Sequence, residues 1–101
     1  MAWKVNDKNE RKEGPKFDLM GHDWSVSHVR VLTATCVSFN LDLPGLSLYG
    51  CKLCENKKGE KYITPNQTKV GEKYYKNYGL YLSDADTVKL IEEVESQIEN
   101  S

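Results

Sequence analysis

The chain has 101 residues, 39% of them apolar and 29% charged, with a formal net charge of −1. That balance belongs to one ordinary folded domain and excludes an intrinsically disordered chain or a generally basic polyanion binder. No apolar run approaches the ~20 residues that span a bilayer, so no membrane partner is expected.

Residues 1–23 are polar, lack the apolar stretch of a secretion signal, and are broken by Gly14-Pro15 and Gly21. They read as a loosely ordered N-terminal arm with room for a short strand at 17–20. Residues 24–101 are expected to form a single domain of β-sheet plus helix. From Val29 the apolar residues fall on odd positions (Val29, Val31, Val37, Phe39, Leu41, Leu43), the alternation of strand half-buried on one face. Its length suits two short strands with a break at 33–35.

Leu43-Pro44-Gly45 is a turn, with proline presetting φ and glycine tolerating a positive one. The next strand, 46–55, changes phase: Leu46 and Leu48 lie on one parity, Tyr49, Cys51 and Leu53 on the other. A bulge near Gly50 accounts for that. Asn56-Lys57-Lys58-Gly59 is a hairpin turn, and the return strand 60–64 stops at Pro65. Residues 66–72 read as a polar loop and 73–82 as a strand with Tyr74, Tyr78, Leu80 and Leu82 facing the core. Ser83 then caps a helix, Asp84 and Asp86 complement its positive end, and Val88, Ile91, Val94 and Ile98 form its apolar stripe. The fold class expected is α+β, an antiparallel β-meander sheet with one C-terminal helix packed on it.

Cys51-Lys52-Leu53-Cys54 has the spacing of a metal knuckle or a redox pair. A structural zinc site needs four ligands, and Cys36, His22 and His28 lack the paired spacing to complete one. Residues three apart on a strand point to opposite faces, and no helix follows to activate a thiol. Buried small cysteines explain the motif better, so no metal and no cofactor are expected. The odd total of three cysteines suits a reducing compartment, which points to the cytoplasm. His22, Asp23 and Ser25 are neighbours in sequence that rarely converge on one substrate, and no serine sits in an elbow motif. Glu92 and Glu93 lie on a polar helix face, and the glycines form no phosphate-cradling loop. No catalytic residue, no enzyme activity and no small-molecule substrate are therefore expected.

The stronger signal is a division of charge. Residues 52–76 hold seven lysines (Lys52, Lys57, Lys58, Lys61, Lys69, Lys73, Lys76) against Glu55, Glu60 and Glu72, whereas from residue 83 six acids face Lys89 alone. Such a chain can hold a polyanion on one face and repel it from another. On the parity opposite the predicted core, Lys73, Tyr75 and Tyr81 face outward and Tyr62 joins them. Exposed tyrosines on a sheet are platforms for unstacked bases, and Lys57, Lys58, Lys61, Lys69, Lys73 and Lys76 would contact phosphates. Single-stranded nucleic acid is the partner this pattern favours. The competing explanation is that tyrosines favour strands and lysines favour turns whatever the function.

In order, "YGCKLCE", the turn "NKKGEKYITP", the lysine-bearing "NQTKVGEKYY" and "LYLSDADTVKLIEEV" make residues 48–94 resemble the stage V sporulation protein G family, SpoVG. These are small bacterial nucleic-acid-binding regulators. The family tends to place basic residues directly after the proline, whereas here Asn66-Gln67-Thr68 precede Lys69, and the helix here is acidic. The ending "KNYGLYLSDADTVKLIEEVE" is similar to single-strand-binding transcriptional coactivators of the positive-cofactor type and to phage single-stranded-DNA-binding proteins. These resemblances imply a homodimer with a nucleic-acid partner. The leading alternative, from another class, is a protein-interaction regulator or phage-encoded inhibitor acting through its acidic helix.

Overall fold

Alternating polar and β-branched or aromatic residues are satisfied when a strand turns one face to water and the other to a core. In the computed structural model they do so in antiparallel strands; it describes residues 3–4, 13–64, 67–70, 73–76 and 82–99, with backbone alone at 67–70, 73–76 and 99. The elements are β1 (Phe17–Leu19), β2 (His22–Thr33), β3 (Cys36–Leu43), β4 (Leu46–Glu55), β5 (Lys61–Thr64), β6 (Gln67–Val70), β7 (Lys73–Lys76) and α1 (Asp84–Glu99). Sheet order is β1-β2-β3-β4-β6-β7, with β5 also pairing β4. The architecture is the expected α+β one: a meander with a C-terminal helix against it.

Three bulges interrupt the ladders, two on β2 and one on β4; the later one on β2 leaves Leu32 extra between the pairs Val31–Val37 and Thr33–Cys36. On β4, Phe39 faces Cys51 but Leu41 faces Leu48, so Tyr49 and Gly50 together oppose one residue, and Gly50 takes a φ of 65°. This is the phase change legible in the sequence. On β2, Ser27 faces Asn40 and Arg30 faces Ser38, which leaves an extra residue around His28, whose φ is 53°. Before it the core residues are the even-numbered Trp24 and Val26; after it Val31 carries the odd phase. The switch hides the first half of the strand from a search for one unbroken alternation, and β2 accordingly begins at His22, not near Val29.

β5 and β6 lie end to end along the edge of β4 away from β3, in one register: Lys52 faces Thr64 and Tyr49 faces Gln67. Residues 67–70 were expected in a polar loop. They are strand because β5 reaches only 52–55, and the peptide groups of 46–49 need partners whatever side chains supply them. β7 covers the first part of the expected strand 73–82; residues 77–81 lie outside the described residues, and Leu82 is not in a strand.

The inner face gathers Val26, Val37, Phe39, Leu41, Cys51 and Leu53 into one cluster with Leu90 and Val94 of α1, all with essentially no exposure. Each large side chain buried in this way contributes roughly 1.5–3 kcal/mol. Ser83 caps α1 as expected, its Oγ accepting from the Asp86 N–H at 3.1 Å. The helix stripe is shifted from the expected one. Leu90 is fully buried and Val88 is 53% exposed, since Val88 stands about 120° around the helix from Val94 and Leu90 only about 40°.

The N-terminal residues take part in this core. Trp3 and Leu19 are buried in it, Phe17 faces Trp24, and Leu19 faces His22 across β1 and β2. The Val26 carbonyl accepts both the Gly14 N–H at 2.8 Å and the Gln97 side-chain amide at 2.6 Å. A Cβ on Gly14 would meet Gln97 Nε2 at 2.0 Å, so glycine is what lets helix and arm share one carbonyl. The described parts of the expected loose arm, residues 3–4 and 13–23, are thus packed against the sheet, Trp3 and Leu19 by apolar burial.

Candidate nucleic-acid interface

The 56–59 hairpin is set by Asn56, whose Oδ1 accepts from the N–H groups of Lys58 at 2.9 Å and Glu60 at 3.0 Å. Gly59 follows with a φ of 81°, open to glycine without strain. The turn holds Lys57 and Lys58 exposed at the tip.

β5 alternates from there. Tyr62 turns outward and is 45% exposed, whereas Lys61 turns toward the helix. Lys61 Nζ donates to both oxygens of Glu95, at 3.0 and 3.1 Å, and lies 5.7 Å from the centroid of the Trp3 ring. Trp3 Nε1 donates to the same carboxylate at 3.2 Å. Lys61 is therefore occupied in tying α1 to β5, not open to phosphate as the sequence led one to expect.

Register adds Arg30 and Lys52 to the basic residues of this face. Arg30, Ser38, Lys52 and Thr64 stand in one row across β2, β3, β4 and β5; Cys36, Cys54 and Tyr62 form the adjoining row. Arg30, Lys52, Tyr62 and Thr64 are all exposed. Strand spacing puts Arg30 and Lys52, two strands apart, about 10 Å from each other. The sequence shows only the charge of Lys52; the pairing puts it on the same face as Tyr62.

Farther along, Lys69 faces Ser47 and Tyr74, while Gln67 faces Tyr49 and Lys76. Tyr75 stands in the row of Thr68 and the buried Leu48, and Lys73 in that of Val70 and Leu46. The register thus places Tyr74 and Lys76, not Lys73 and Tyr75, in the rows of the outer-parity residues Ser47 and Tyr49. The reason is the pairing of Val70 with Lys73, which fixes the positions of 74–76. The side chains of Lys69, Lys73, Tyr75 and Lys76 lie outside the described residues, as does Tyr81 entirely.

The cysteines separate as the strand period requires. Cys51 is on the inner face with no exposure, and its burial pushes the thiol up to about 12, with Asp42 adding to the rise. Cys54 is on the outer face, half-buried, with its Sγ 3.8 Å from that of Cys36 directly across the ladder. Its pKa is raised, first by burial and then by Cys36, with Tyr62 and Lys52 pulling the other way. Among the described residues no group of three or more His, Cys, Asp or Glu side chains is placed to hold a metal ion.

Ser27, His28 and Asp42 do meet, around the β2 bulge. The Ser27 hydroxyl donates to Asp42 and lies 3.1 Å from His28 Nδ1. The hydroxyl sits between imidazole and carboxylate and is buried, whereas a catalytic triad needs the imidazole in the middle and the hydroxyl open to substrate. His22, Asp23 and Ser25 do not converge: Ser25 instead donates to Glu13 at 2.8 Å.

Among the described residues no helix is long and apolar enough to cross a membrane. Comparison with protein-family models, with curated proteins and with solved structures finds no match to this chain.

Proposed function

We propose that this chain binds single-stranded DNA or RNA without catalysis, through the outer face of β2, β3, β4 and β5 and the adjoining hairpin tip. The observation that carries this reading is Tyr62, 45% exposed on a strand in the row next to Arg30 and Lys52. An exposed ring on a sheet can stack an unpaired base, worth ~1–3 kcal/mol. Arg30, Lys52, Lys57 and Lys58 surround it with charge for the phosphates. The acidic helix packs on the other face, which keeps a polyanion to one side. The resemblance to SpoVG and to single-strand-binding coactivators points the same way. A homodimer and a cytoplasmic setting belong to the proposal, and light scattering tests the first of these.

A second reading has its own observation: a groove between β1 and α1 lined by Phe17, Asp18, Lys89, Glu92 and Glu93, with Val88 exposed on the same helix. That surface suits a protein partner. Fluorescence anisotropy with a labelled oligonucleotide at low and raised salt decides between the two. The nucleic-acid reading expects micromolar binding that weakens with salt, and a loss of about tenfold or more in Tyr62→Ala. No binding at low salt overturns it, and a stoichiometric protein recovered by pulldown without nucleic acid then favours the groove.

A further inference from the structure

We propose that Cys36 and Cys54 form a dithiol modification site at which a low-molecular-weight disulfide is reduced while an inter-strand disulfide closes between β3 and β4. The two residues face each other directly in the ladder. The Glu55 N–H donates to the Thr35 carbonyl at 3.0 Å, a bond running between the neighbours of the two cysteines. That makes Cys36–Cys54 a non-hydrogen-bonded pair, the kind in which the backbones stand closest and the side chains meet. Such pairs fall within the Cα separation that a disulfide can span. The sulfurs are already 3.8 Å apart, so closure asks for about 1.8 Å of approach, within reach of side-chain rotation.

The site is open to a small reagent. Both cysteines are half-buried, on the outer face, and Cys36 is the first residue after the turn that joins β2 to β3. Cys51 is the contrast within the same molecule, fully buried on the opposite face.

The chemistry is thiol–disulfide exchange. One thiol loses its proton to solvent, and its thiolate attacks a disulfide RS–SR. The S–S bond breaks, the first RS⁻ leaves and takes up a proton, and a mixed disulfide remains. The second cysteine loses its proton and attacks the protein sulfur of that mixed disulfide, expelling the second RS⁻ as RSH. The protein pair is oxidised by two electrons and RSSR is reduced to two RSH. Because the second sulfur is already in contact, the second step outruns the first.

The test uses the full chain and glutathione disulfide, with alkylation, unfolding and peptide mass spectrometry. The expected product has lost two hydrogens, holds a Cys36–Cys54 linkage and keeps one alkylatable thiol, at Cys51; dithiothreitol restores all three thiols. Cys36→Ser should stop at a glutathione adduct on Cys54 that the wild type does not accumulate, and Cys51→Ala should react like the wild type. Three thiols left unmodified, an adduct accumulating equally in wild type and Cys36→Ser, or a linkage only between two copies would each overturn the proposal. The site lies on the same outer face as Tyr62, but the inference does not rest on the nucleic-acid reading, and oligonucleotide binding has no part in its test.

Discussion

On the inner face of the sheet, Val37, Phe39, Leu41, Cys51 and Leu53 are sealed against Leu90 and Val94 of the helix. On the outer face, alternate residues of the same strands present Cys36, Ser38, Lys52 and Cys54, with Tyr62 one strand over. The two sets are interleaved in sequence and share their backbone, yet their chemistry is opposed. Cys51 and Cys54 illustrate this best: three residues apart on β4, one is a core atom and the other a member of an accessible sulfur pair. Parity, not proximity in sequence, decides what a side chain here can do.

The sharpest way to break that contrast is to empty one position on each face. Phe39→Ala should cost about 3–5 kcal/mol, read from urea unfolding, because a large buried ring leaves a cavity. Tyr62→Ala should cost under about 1 kcal/mol in the same measurement, since the ring packs on one side only. Equal losses would mean that the outer face is also core.

The helix offers the same comparison in a second geometry. Leu90→Ala should lower stability by about 2–4 kcal/mol, while Val88→Ala should stay within about 0.5 kcal/mol, as thermal unfolding can show. The reverse result would restore the stripe that simple spacing proposes.

A smaller effect is expected at alkaline pH. The Cys51 thiol ionises near 9.0 in the unfolded chain but is held protonated to about 12 when folded. Between those values the folded state binds more protons than the unfolded one. Stability should therefore fall with rising pH, by about 1.4 kcal/mol per unit, and be unaffected by this group below the window. Denaturant titrations across that range should give a flatter profile for Cys51→Ala than for the wild type. Parallel profiles would show that the thiol is not buried as described.

Much of the fold was legible because it is written locally. The Pro44-Gly45 turn, the Asn56–Gly59 hairpin, the Gly50 bulge and the Ser83 cap each need a particular residue at a particular place, and each was found. The two β2 bulges, at His28 and Leu32, were not, because neither residue marks a bulge in the way that glycine does. Strand β6 was missed because its polar side chains give no period; its place follows from unpaired peptide groups on β4. For the candidate interface, Lys57, Lys58 and Tyr62 stand exposed, Lys61 does not, and Arg30 and Lys52 join them only through the ladder.

By itself, then, the sequence determined the helix, the strands that carry a clear alternation, where the marked turns fall, and that charge divides between the middle and the end of the chain. These depend on neighbours within a few residues, where backbone preference and alternation act directly. Tertiary structure alone decided that Lys61 is taken by Glu95 and Trp3, that Arg30 and Lys52 share a row, and that Cys54 pairs with Cys36 instead of Cys51. Those facts depend on register between strands, and one residue of bulge or slip reverses the face of every side chain beyond it.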